Sequence, residues 1–132
     1  MEPLLGRRVL LVEDEALVAM LIGDALSDAG AVMIGPFAAV APALAAIAAA
    51  PPELAILDLN LGGESSLPIA DDLASRGVPI VFASGYGTAG LPPHYRATPM
   101  LAKPFDPVEL IVRLAALLDG VQPHNCSDKQ GA

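Results

Sequence analysis

The chain has 132 residues, room for one domain with a full core and too few for a second folded unit. Fifteen acidic against seven basic residues leave a net charge of −8, which argues against binding to nucleic acid or an anionic membrane surface. Its single cysteine, Cys126, has no partner within the chain, so no internal disulfide framework exists and a reducing cytoplasm is the expected location.

Taken in chain order, Arg7 and Arg8 precede an apolar run, Val9–Val12, that is too short for a signal peptide. We read "RVLLV" (8–12) as a first strand, and it runs straight into Glu13, Asp14 and Glu15. Carboxylates at that spacing repel and raise one another's pKa unless something positive compensates them. A helix is predicted over 15–29, with Leu17, Leu21 and Ala25 on one side, Asp24 and Asp28 on another, and Gly30 as its stop. "AVMIG" (31–35) is a second strand. The alanine-rich helix predicted over 38–50 carries Pro42, ends at Pro51 and Pro52, and is too short to cross a bilayer.

"LAILDL" (54–59) is a third strand, and a helix follows from Ser66 to Arg76, with Ser66 as N-cap, Pro68 in the first turn and Gly77 beyond it. "VPIVFAS" (78–84) and "PMLAK" (99–103) supply strands four and five. Between them, residues 87–99 hold three prolines and two glycines, so any helix there is short and weakly held. A last helix over 107–119 shows Val108, Ile111, Val112, Ala115 and Leu118 at helical spacing, with Gly120 after it. Residues 121–132 turn polar and read as a disordered tail after a domain spanning 1–120.

None of the five apolar runs alternates with period two, which fits strands covered on both faces in a parallel sheet. Alternating β–α units then predict a doubly wound five-stranded parallel α/β fold with helices on both faces. Ligands in such sheets bind beyond the carboxyl ends of the strands. Glu13 and Asp14 follow strand one, Asp58 ends strand three, Ser84 ends strand four and Lys103 ends strand five, so groups of complementary kinds converge on one edge.

An acidic pair, a mid-chain Asp, a hydroxyl after strand four and Lys-Pro after strand five, in that order, resemble a response-regulator receiver domain of two-component signalling. The resemblance covers residues 7–119 and implies the flavodoxin-like strand order 2-1-3-4-5. It implies that Asp58 takes a phosphoryl group from a phosphohistidine, that Mg²⁺ or Mn²⁺ is held by Glu13, Asp14, Asp58 and the backbone carbonyl of Asn60, and that Lys103 and Ser84 contact the phosphoryl oxygens. It makes the chain a phosphoacceptor with at most slow self-dephosphorylation, not a turnover enzyme. Its partners would be a sensor histidine kinase or histidine phosphotransfer protein, and a downstream protein meeting the face of helix four, strand five and helix five. No nucleic-acid or membrane partner is expected.

"VFASGYG" is similar to the receiver subgroup marked by a Phe-Ala-Thr-Gly-Tyr run, the FAT-GUY type. Many receivers place a switch aromatic three residues before the strand-five lysine, where this chain has Met100; the aromatic stands instead at Tyr86, two residues after Ser84. The expected switch pair is therefore Ser84 and Tyr86. Two other readings compete. A haloacid-dehalogenase-like phosphatase also uses an Asp nucleophile, but needs an acid two residues on, where Asn60 stands. A receiver-shaped scaffold would not need the complete set of polar groups. His94, His124 and Cys126 are read as solvated loop or tail residues without a catalytic role.

Overall fold

The computed structural model describes residues 2–85 and 91–119; Tyr86 and the tail with His124 and Cys126 lie outside the described residues. Five strands, β1 (Arg8–Val12), β2 (Val32–Phe37), β3 (Leu54–Asp58), β6 (Ile80–Ser84) and β7 (Met100–Ala102), form one parallel sheet in the order β2-β1-β3-β6-β7. A small antiparallel hairpin, β4 (Asn60–Leu61) and β5 (Glu64–Ser65), stands apart from it. The helices are α1 (Ala16–Asp28), α2 (Val40–Ala49), α3 (Leu67–Ser75) and α4 (Pro107–Leu118). This is the flavodoxin-like order expected from the sequence.

Successive residues of a strand point to opposite faces, and the core divides accordingly. Leu10, Val12, Ala55, Leu57, Ile80 and Phe82 face α2 and α3, meeting Ala43, Ile47, Ile69 and Leu73. Val9, Leu11, Leu54, Ile56, Val81 and Leu101 face α1 and α4, meeting Ile22, Leu26, Leu110 and Leu114. Burial on both sides explains why the three central strands read as unbroken apolar runs.

Strand β2 departs from that expectation. It is an edge strand paired to β1 alone, and Val32 and Met33 are exposed. Its register against β1 shifts after Leu10, at Gly35 and Pro36. Gly35 has φ +110, and a Cβ there would stand 2.7 Å from the Leu11 carbonyl oxygen, so only glycine fits this bend.

The inward faces of the outer helices also differ from the spacing argument. In α1 the buried residues are Ala19, Ile22 and Leu26, whereas Leu17 and Leu21 are exposed and Ala25 half-buried. In α4 the buried residues are Leu110, Leu114 and Leu117, with Val108 and Val112 exposed and Ile111 and Ala115 only partly covered. Both helices carry apolar residues on more than one face, so periodicity alone does not choose the buried one. Ser66 starts α3 but does not cap it: its hydroxyl donates to the Leu59 carbonyl, and Ser65 Oγ instead accepts from Leu67 N at 3.1 Å.

Residues 91–98 form only a 3₁₀ turn, Pro93–Tyr95. That turn is pinned by Tyr95, a buried ring packed edge-on against Phe82, whose phenol donates to Asp71 Oδ1 of α3 at 2.6 Å. One aromatic anchor thus gives this proline-rich stretch more hold than its composition suggests.

Candidate functional site

Four strand ends build the site. Glu13 follows β1 directly and is buried, its backbone N–H donating to Phe37 O and its carboxylate accepting from Glu15 N at 3.1 Å. Asp58 closes β3, buried, with Asn60 N donating to its Oδ1 at 3.2 Å. Ser84 closes β6, also buried, and its carbonyl accepts from Lys103 N at 2.8 Å, which fixes the chain leaving β7 beside it.

Carboxylate oxygens of Glu13, Asp14 and Asp58 lie within 4.8 Å of one another, with Asp14 exposed at the rim. Lys103 reaches into this group: Nζ stands 2.9 Å from Glu13 Oε1 and 3.0 Å from Asp58 Oδ2. Burial opposes the Lys103 charge, but the two carboxylates outweigh it and hold its pKa above the ordinary lysine value. Burial, with the neighbouring Asp58 carboxylate, pushes Glu13 above the ordinary range against the pull of Lys103. A cation is present, then, but one lysine stands against three carboxylates. Oxygen donors of that number and hardness fit a small divalent ion such as Mg²⁺.

Above the cluster opens a cleft of about 650 Å³ lined by Asp58, Asn60, Gly62, Gly63, Ser84 and Lys103, among others. Every described residue assigned to the site from the sequence is therefore brought to one place; Tyr86 lies outside the described residues. Sequence reasoning missed the β4–β5 hairpin that walls this cleft, and Glu15, whose carboxylate lies 4.0 Å from Lys103 Nζ. A signal for the hairpin was present. Gly62 and Gly63, with φ +62 and +94, form the two-residue turn that such glycine pairs favour.

Residues 9–115 match the family model for the response regulator receiver domain. No curated protein matches the chain. Among solved structures, that of SdrG from Sphingomonas melonis Fr1 is 41% identical, covers 89% of this chain and 99% of its own, and superposes with a TM-score of 0.75. The PhyR response regulator receiver domain of Erythrobacter litoralis is 26% identical over 90% of this chain and 94% of its own, with a TM-score of 0.76. SdrG from Pseudomonas melonis Fr1 in a BeF₃-activated conformation is 42% identical over 84% of this chain and 95% of its own, with a TM-score of 0.70. The sheet order, the strand-end carboxylates and the lysine beyond β7 belong with that match, and the chain is a member of the response regulator receiver domain family.

Proposed function

We propose that this domain accepts a phosphoryl group on Asp58 from a phosphohistidine and signals through altered protein contacts. The observation that carries this reading is the Asp58 carboxylate itself, which lines the cleft in contact with Lys103 and beside the carboxylates of Glu13 and Asp14. An Asp58 oxygen attacks phosphorus, the nitrogen–phosphorus bond breaks, the imidazole leaves, and an acyl phosphate remains on Asp58. Asp14, Asp58 and the Asn60 carbonyl would hold Mg²⁺ or Mn²⁺, with Glu13 acting through a bound water. When present, the metal neutralises charge on the phosphoryl oxygens. Lys103 exchanges its contact with Asp58 for one with a phosphoryl oxygen, and the Ser84 hydroxyl donates to another. Ser84 and Tyr86 would form the switch pair.

The domain would be a phosphoacceptor with at most slow self-dephosphorylation. Asn60 Oδ1 accepts from Gly63 N at 2.8 Å, so position 60 supplies no acid for rapid phosphate turnover. A groove lined by Val18, Leu21, Ile22, Phe105 and Pro107 shares Glu15 and Lys103 with the cleft and supports the seating there of a kinase or phosphotransfer protein. The downstream partner would meet the face formed by residues 91–98, β7 and α4. Among the described residues no helix is long and apolar enough to cross a membrane, in keeping with action in the cytoplasm. A relative carrying a BeF₃-activated state supports the same chemistry, since that anion can stand in for a phosphoryl group on a carboxylate.

Intact mass after incubation with acetyl phosphate and Mg²⁺ tests the reading. One stable phosphoryl addition is expected, lost in Asp58→Asn. Phosphate on another residue of the wild-type chain would overturn the assignment, rapid turnover would indicate a phosphatase, and no addition would indicate a scaffold.

A further inference from the structure

The β4–β5 hairpin walls the cleft without belonging to the main sheet. Its arms are two residues each, Asn60 opposite Ser65 and Leu61 opposite Glu64, and a ribbon that short does not hold itself in water. Buried Leu61 anchors one arm from below. On the other arm Glu64 reaches the start of α2, where its Oε1 accepts a hydrogen bond from Val40 N, the first residue of that helix, at 3.2 Å. That helix begins after Ala39, whose side chain has no acceptor, and its own first turn holds no acidic residue. A helix start offers unpaired N–H groups and partial positive charge, and here the hairpin supplies the carboxylate that meets both.

We propose that Glu64 is a positioning residue for the phosphoacceptor site: by gripping the N-terminus of α2 it holds the hairpin over the cleft. The inference rests on the reading of that cleft given above. What the grip fixes is specific. Asn60, beside Glu64's partner Leu61, donates its backbone N–H to Asp58 Oδ1 and bears the carbonyl assigned to the metal. At the hairpin tip a Cβ on Gly62 would stand 3.5 Å from Asp14 Oδ2, so the turn lies against the carboxylate at the rim. A hairpin that drifts takes Asn60 and the Gly62–Gly63 turn away from Asp58 and Asp14 together.

The test compares wild type, Glu64→Ala and Glu64→Gln. In metal-free protein, amide exchange at residues 60–66 should quicken in Glu64→Ala and remain near wild type in Glu64→Gln, which keeps an oxygen acceptor. Acetyl phosphate labelling and Mg²⁺ affinity by calorimetry should each fall about tenfold in Glu64→Ala, the low end of what losing an outer support of a metal site costs, with recovery in Glu64→Gln. If Glu64 serves only to cap α2, Glu64→Ala will quicken exchange at residues 40–43 and lower the melting temperature, but leave residues 60–66 and labelling unchanged; that result overturns the proposal. Should wild type take no phosphoryl group, the receiver chemistry fails, and metal-free exchange at residues 60–66 still decides the anchor.

Discussion

Lys103 carries two jobs whose balance sets what its removal does. In the metal-free protein its Nζ bridges Glu13 and Asp58, both largely shielded from water. Taking it away leaves buried like charges facing each other, a defect that costs several kcal/mol when fully buried and less where, as here, the lysine keeps some contact with solvent. We expect Lys103→Ala to fold cooperatively, to lose about 2 kcal/mol without metal, to regain part of that with Mg²⁺, and to lose its response to phosphate. Denaturant melts with and without Mg²⁺ check this, and equal stability of wild type and Lys103→Ala in both conditions would reduce Lys103 to a surface residue. Asp14 predicts the opposite sign. It is the exposed member of the cluster and has repulsion to relieve, so Asp14→Asn should stabilise the metal-free protein by about 1 kcal/mol, raising the melting temperature by about 4 °C, while abolishing the gain from Mg²⁺.

Among the elements, the strands and the site were legible for one reason: the sheet is buried on both faces at its centre, so apolar runs mark it, and the polar residue ending each run marks the edge where chemistry gathers. Asp58, Ser84 and Lys103 were visible because each interrupts such a run. Edge and surface were less legible. Nothing in "AVMIG" says that Val32 and Met33 face solvent, since strand order along a sheet follows from long-range packing and not from local pattern. The hairpin was hidden because two-residue arms are too short to show any period. The helices give the sharpest test of this difference. Leu17, conspicuous in the helical pattern, is 63% exposed, and Leu26, which that pattern does not favour, is fully buried. Leu17→Gln should change stability by no more than about 0.5 kcal/mol, whereas Leu26→Ala should cost about 3 kcal/mol through the cavity it leaves. Chemical denaturation of the two variants separates them, and a larger loss at Leu17 would mean that α1 is rotated.

For the molecule as a whole, the contact between Tyr95 and Asp71 doubles as an optical reporter. The chain has no tryptophan and two tyrosines, so its near-ultraviolet signal is a tyrosine signal. Burial first, and the Asp71 carboxylate second, raise the Tyr95 phenol above its ordinary pKa of 10.0. The folded protein therefore holds that proton more tightly than the unfolded chain does. The resulting stability is intact below pH 10 and drains away as pH climbs toward the folded-state value. In an alkaline titration followed by phenolate absorbance, the share belonging to Tyr95 should stay silent until the fold opens, then appear in one step coincident with the loss of far-ultraviolet circular dichroism. Tyr95→Phe should erase that step, and smooth ionisation at the ordinary value would show that the phenol is not held. Because the same phenol joins the turn after β6 to α3, its ultraviolet signal reports, without a label, whether that turn stays docked on the helix.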